Sequence, residues 1–118
     1  MTHWTLKHTE TRGIYTVELH VADEFIPLRT LFEPEDVPIL QRQLEYGEAV
    51  HFMARVTVSI NGIKLGEYHL GSCFYKDYKE FYEERNGYYD QMVDEAIDQA
   101  RDNLFHLQKA IAHTQLVA

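Results

Sequence analysis

Four aspartates, Asp90, Asp94, Asp98 and Asp102, recur at strict i, i+4 spacing. At 3.6 residues per turn each step drifts by only about 40° around a helix, so the four form a ladder with carboxylates roughly 6 Å apart along the axis. Such a row is locally unfavourable. Like charges at i, i+4 destabilise a helix by about 0.2–0.5 kcal/mol per pair, and aspartate is a poor helix former. Only Asp90, in the first turn, gains from the helix dipole. Solubility alone would be better served by interleaved Glu and Lys. Two readings follow: a solvated face, or a row of negative charge that imitates a phosphate backbone for a basic groove on another protein. Phe105 falls between Asp98 and Asp94 on the same helical wheel, where an aromatic among acids resembles an interface anchor unless another element covers it.

The segment before the ladder is aromatic. Phe74, Tyr75, Tyr78, Phe81, Tyr82, Tyr88 and Tyr89 crowd into a short stretch that also carries Glu80, Glu83 and Glu84. Most of these rings are expected in a core and the remainder on a partner surface, since tyrosine offers area and a hydroxyl at low entropic cost. The candidate partner-binding set is therefore Asp90, Asp94, Glu95, Asp98, Asp102 and Phe105, with Tyr82, Glu83 and Glu84 beside it.

Seven histidines and one cysteine are the other groups with chemical potential. No H-x-x-x-H, C-x-x-C or H-E-x-x-H spacing occurs, which argues against a zinc site. His51 and His69 belong to facing strands, but the register expected from the turn sets His51 near Ser72 and His69 near Ala54. Cys73 as a nucleophile would need a histidine base brought to it by the fold. A small enzyme using Cys73, His69 or His51 is the minor alternative. No phosphate-cradling glycine loop or nucleophile elbow is present. The residues therefore suggest no catalytic group, no cofactor and no metal.

The chain that must position these residues has 118 residues, a net charge of −8 and 45% hydrophobic content. That size supports a single core. Its mean hydropathy of −0.39 and short apolar runs leave no segment of the about 20 residues that a membrane helix needs. The N-terminus lacks the apolar run of a signal peptide, and one cysteine suits a reducing cytoplasm. An acidic balance disfavours direct attraction to nucleic acid or anionic lipid. Residues 77–102 hold nine acids against three bases, −6 of the total −8.

Period-two alternation through Tyr15, Val17, Leu19 and Val21 marks a strand, preceded by a shorter partner at Trp4–His8 and a link over 9–13, together a hairpin over 3–22. Asp36 and Pro38 open a helix over 36–46, with Leu40 and Leu44 inward and Gly47 ending it. Val50, Phe52, Ala54, Val56, Val58 and Ile60 alternate up to Asn61-Gly62, which suits a type I′ turn, giving a hairpin over 49–75. The apolar parity switches after Gly66, which predicts a bulge at Gly66-Glu67. Asp77 caps a short helix over 77–85. Tyr89, Val93, Ala96, Ala100, Leu104, Leu107 and Ile111 then trace one stripe of a long helix over 88–112. The fold class is α+β: one domain with an antiparallel sheet of about four strands, a helix between its two hairpins and the long C-terminal helix packed on it.

An acidic chain with an Asn61-Gly62 hairpin running through Leu70-Gly71-Ser72-Cys73-Phe74-Tyr75 into an aromatic, acidic segment and an Asp-laddered helix resembles small phage and plasmid anti-defence proteins, of the anti-CRISPR or antirestriction type. The resemblance spans residues 50–112 and carries no site residue across. It implies a non-enzymatic inhibitor that occupies the basic nucleic-acid-binding surface of a CRISPR-Cas or restriction complex in the host cytoplasm, without binding nucleic acid or membrane itself. The alternative is a homodimeric adaptor or subunit that docks through its aromatic cluster and hairpin edge. Monomer and homodimer both remain open at this point.

Overall fold

The structure, a computed structural model, describes residues 2–117. Strands β1 (Thr5–Arg12), β2 (Tyr15–Asp23), β3 (Val50–Ile60) and β4 (Ile63–Tyr75) form one antiparallel sheet in the order β1-β2-β3-β4. Helices α1 (Leu28–Leu31) and α2 (Val37–Glu45) lie between the hairpins, while α3 (Tyr78–Glu83) and α4 (Tyr88–Val117) follow them. This is the expected α+β arrangement, with α4 packed on β4 and β3.

Alternation places the core. Val17, Leu19 and Val21 of β2 share a buried face with Phe52, Ala54, Val56 and Val58 of β3. Helix α4 covers that face with Tyr89, Met92, Val93, Ala96 and Ala100, and α3 adds Phe81. The core is aromatic at one end, where Phe81 meets Phe52, Tyr75 and Tyr89 edge-on at 5.0–6.0 Å between ring centres. Such contacts add roughly 0.5–1.5 kcal/mol each beyond burial. The opposite face of the sheet carries the polar residues of the alternation, His20 and Arg55 among them, directly paired across β2 and β3.

Several local expectations are met by specific backbone bonds. Asn61 and Gly62 both have positive φ, 50° and 81°, as a type I′ turn requires. Asp77 caps α3 by accepting from the Glu80 N–H at 2.8 Å. At the end of α2, Gly47 N–H donates to the Leu44 carbonyl at 3.2 Å and Glu48 N–H to that of Gln43 at 2.8 Å. These two bonds, with Gly47 at φ +71°, make a Schellman termination.

Others need correction. The link over 9–13 is mostly strand: β1 continues to Arg12, which pairs with Tyr15, so only Gly13 and Ile14 turn. Asp36 makes no side-chain cap, because its own backbone is already helical at φ −86°, ψ −26°, whereas a capping residue needs an extended one. Leu40 and Leu44 are only half-buried, and α2 buries no residue fully. The β3–β4 register shifts twice. Val58 pairs with Gly66 but Ser59 with Lys64, so the extra residue is Leu65, one position before the expected bulge. A second shift leaves Gly71 and Ser72 opposite Met53, with Ser72 at φ +58°. The two shifts move His51 opposite Phe74 and His69 opposite Arg55, rather than beside Ser72 and Ala54. Gly66 has a different reason to be glycine: a β-carbon there would collide with the Ala96 carbonyl of α4.

Candidate partner-binding surface

The sheet and α3 fix where α4 begins. Asn86, at φ +58°, turns the chain so that its N–H donates to Asp90 Oδ2 at 2.8 Å. Arg12 Nη2 donates to Asp90 Oδ1 at 3.2 Å, and Arg12 Nε donates to Glu10 at 2.7 Å. Burial alone would raise the Glu10 carboxyl, but hydrogen bonds and positive charge from His8 and Arg12 hold it below its ordinary value. Asp90 thus ties α4 to β1 as an internal partner and is set apart from the rest of the ladder.

Asp94, Glu95, Asp98 and Asp102 are all exposed on α4. Asp98 approaches Arg101 at 3.6 Å, with both side chains more than two-thirds exposed, a pair that contributes little in water. Phe105 is 56% exposed, so α3 does not cover it, and Lys109 Nζ sits 5.2 Å from its ring centre. These five residues stand on the side of the helix away from the stripe that grips the sheet. Glutamine and asparagine of the flank bind the sheet instead: Gln99 Oε1 accepts from the Glu67 N–H at 3.2 Å, and Asn103 Nδ2 donates to the Leu65 carbonyl at 2.6 Å.

The residues expected from α3 and its end do not join that row. Tyr82 is half-buried and stacks on His8 at 4.2 Å. Glu83 is exposed and approaches Lys79 at 3.9 Å. Glu84 lies beside Tyr75, whose hydroxyl is pushed up to about 12, first by burial and then by the Glu84 charge. Glu80, Glu83 and Glu84 form a separate acidic patch with Phe74 and Tyr75. Of the aromatic segment, Phe81 and Tyr89 are core, while Tyr88 is 57% exposed.

One feature of this surface has no signature in the sequence. Tyr68 and Leu70 of β4 face Tyr88 and Met92 of α4 across a groove of about 390 Å³, with Asp94 and Glu95 on its rim. Only the packing of α4 on β4 brings these residues together. Tyr68 at an alternating strand position next to Leu70 was the available hint, but its register depends on the Leu65 bulge.

The alternative chemical groups are kept apart. Cys73 faces the core opposite Phe52, whereas His51 is on the other face, between Phe32 and Phe74. The Cys73 thiol is pushed up to about 12, first by burial and then by the Glu24 charge. His69 faces Trp4 and Glu67 on the polar side of the sheet. No nucleophile–base pair joins these three. Among the described residues, no group of three His, Cys, Asp or Glu side chains could hold a metal ion, and no helix is long and apolar enough to cross a membrane. No protein-family model, curated protein or solved structure matches this chain.

Proposed function

We propose that this chain is a non-enzymatic binding protein whose acidic side of α4 occupies a basic, nucleic-acid-binding surface on another protein, and so inhibits a nucleic-acid-handling complex of the CRISPR-Cas or restriction type. The observation that carries the reading is the exposed row Asp94, Glu95, Asp98 and Asp102, with Phe105 uncovered one turn beyond it. Carboxylates stacked along a helix cost it stability that neutral residues would not, which supports a role for them outside the helix. Desolvating that row against Lys and Arg, with Phe105 as an apolar anchor at its end, draws on the anatomy of interface hot spots. The inhibitor acts in the cytoplasm in this reading and needs no cofactor.

Replacing Asp94, Asp98 and Asp102 together by Asn is expected to leave the fold intact and to abolish capture of the partner. In the native chain the association should be fast and weaken steeply with ionic strength. Partner capture from host lysate at unchanged affinity by the triple variant would reject the reading.

The adaptor alternative has one observation of its own, the groove walled by exposed Tyr68 and Tyr88. Docking there would resist salt, since its contacts are apolar and aromatic.

A further inference from the structure

Three hollows follow the outer edge of β4, the last strand of the sheet. The groove of about 390 Å³ between Tyr68 and Tyr88 shares Leu70 and Tyr88 with a second hollow of about 320 Å³, which reaches Phe32. That one shares Phe74 and Tyr75 with a third, more open hollow beside α3. Their common walls join them into one band.

The lining of this band is chemically one-sided. Asp94 and Glu95 stand at one end and Glu80, Glu83 and Glu84 at the other, all exposed. No Lys, Arg or His lines any of the three hollows. Two hollows elsewhere on the molecule do hold bases, Arg29 with His51 and Lys7 with His3. Lys79 approaches Glu83 at 3.9 Å, but both side chains are more than half exposed, and such a pair is too weak in water to withhold the carboxylate. Between the acidic ends the walls are apolar and aromatic.

We propose that this band is a docking channel for an extended segment of another protein that carries a basic residue at each end and an apolar one between them. Charge selects the occupant. Carboxylates at both ends repel nucleic acid, an acidic peptide and a second copy of this chain, whose own charge is −8, and they attract Lys or Arg. The walls favour arginine at the α4 end. Its stem can lie on Leu70 and Met92 while the guanidinium meets the carboxylates and the rings of Tyr68 and Tyr88, which are 38% and 57% exposed. Length selects the extended form. From Tyr68 to Tyr75 the strand advances seven residues, one of them absorbed by the register shift at Gly71-Ser72. The band is therefore about 20 Å long and matches about seven extended residues. The channel goes beyond the acidic-row reading: it shares Asp94 and Glu95 with that row but not Asp98, Asp102 or Phe105, so the two can fail separately.

Titration of the isotope-labelled chain with a synthetic peptide, followed by NMR, tests the channel. The peptide has arginine at each end, leucine at its centre and serine elsewhere, about seven residues in all. Saturable shifts of the Tyr68, Leu70, Tyr75 and Tyr88 amides are expected. A peptide with glutamine in place of both arginines should bind at least about tenfold more weakly. The double variant Tyr68→Ser, Tyr88→Ser removes only exposed rings and should weaken the arginine peptide about tenfold with the fold unchanged. Glu83→Gln with Glu84→Gln should weaken the arginine peptide and not the glutamine one. No saturation at about 5 mM peptide, equal binding of the glutamine peptide, or native affinity in the tyrosine variant would overturn the proposal. Asp98→Asn with Asp102→Asn should bind the peptide as the native chain does, and lost binding there would assign the peptide to the acidic row instead. Capture of a lysate partner by a chain that does not bind the peptide would remove the channel and leave the row standing.

Discussion

Asp90 and Asp98 are the same residue type two turns apart on one helix, yet only Asp90 is tied into the fold. Asp90 accepts from the Asn86 N–H and from Arg12, so the fold uses its charge at a helix start, where the dipole also favours it. Asp98 meets only an exposed arginine one turn on. A similar contrast separates the histidines. His51 and His20 are both held below the ordinary value of 6.5, chiefly by burial. For His20 the Arg55 charge adds to burial and Glu18 opposes it; for His51 the Glu24 charge opposes it. Each also leaves one ring nitrogen buried without a partner. A folded-state pKa below the unfolded one means that the unfolded chain takes up the proton first as pH falls. The stability these rings contribute is therefore complete above pH 6.5 and is lost on acidification below it. Urea unfolding between pH 7.5 and 5.5 should show that loss, and His51→Phe should flatten the slope by up to one proton. An unchanged slope in the variant would mean that His51 protonates as freely in the fold as out of it.

At the scale of elements, the close approach of α4 to β4 organises the surface. Gly66 permits it: the Ala96 carbonyl lies where a β-carbon would be, and the bulge at Leu65 turns the strand there. Gln99 and Asn103 then bond the Glu67 N–H and the Leu65 carbonyl of this sheet-edge strand. Covering an edge in this way protects it from pairing with other chains. Gly66→Ala must push the helix outward, and overpacking of this kind costs about 1–3 kcal/mol. Urea melts of the variant measure that cost. The groove between Tyr68 and Tyr88 should widen with the same substitution, so salt-resistant docking, if the adaptor alternative holds, would weaken in parallel. A fully stable Gly66→Ala chain would show that α4 is not seated against β4 as described.

For the whole molecule, the division into a packed body and a projecting helix end matters most. The buried residues of α4 end at Ala100, and from Phe105 to Thr114 every residue is exposed. Truncation after Asn103 should thus lower the melting temperature of the body by only a few degrees at most, because the removed residues 105–114 are exposed and Leu104 is only half-buried. A collapse of the body on truncation would show that the end of α4 is packed on it after all. Net charge acts at this scale too. With −9 on residues 1–102, moderate salt should weaken capture of a basic partner by screening that charge.

Local chemistry explains what the amino-acid sequence determines here. Alternation gave β2 and β3, positive-φ residues gave the Asn61-Gly62 turn and the end of α2, and the 3.6-residue period gave α4 with its acidic and apolar sides. These features depend on neighbours within a few residues, so they are legible without the fold. The aspartate row was legible for the same reason, as was the exposure of Asp94, Asp98 and Asp102. Register was not, because each of two bulges adds one residue to β4 and turns over every side chain beyond it. Nor were the capture of Asp90 by Arg12, the inward turn of Tyr82 onto His8, and the groove beside Tyr88, all of which join residues far apart in the chain. Only the tertiary structure decided where the sheet ends beneath α4. The periodicity of the stripe is identical before and after Ala100, since a helix carries the same pattern whether or not anything lies against it.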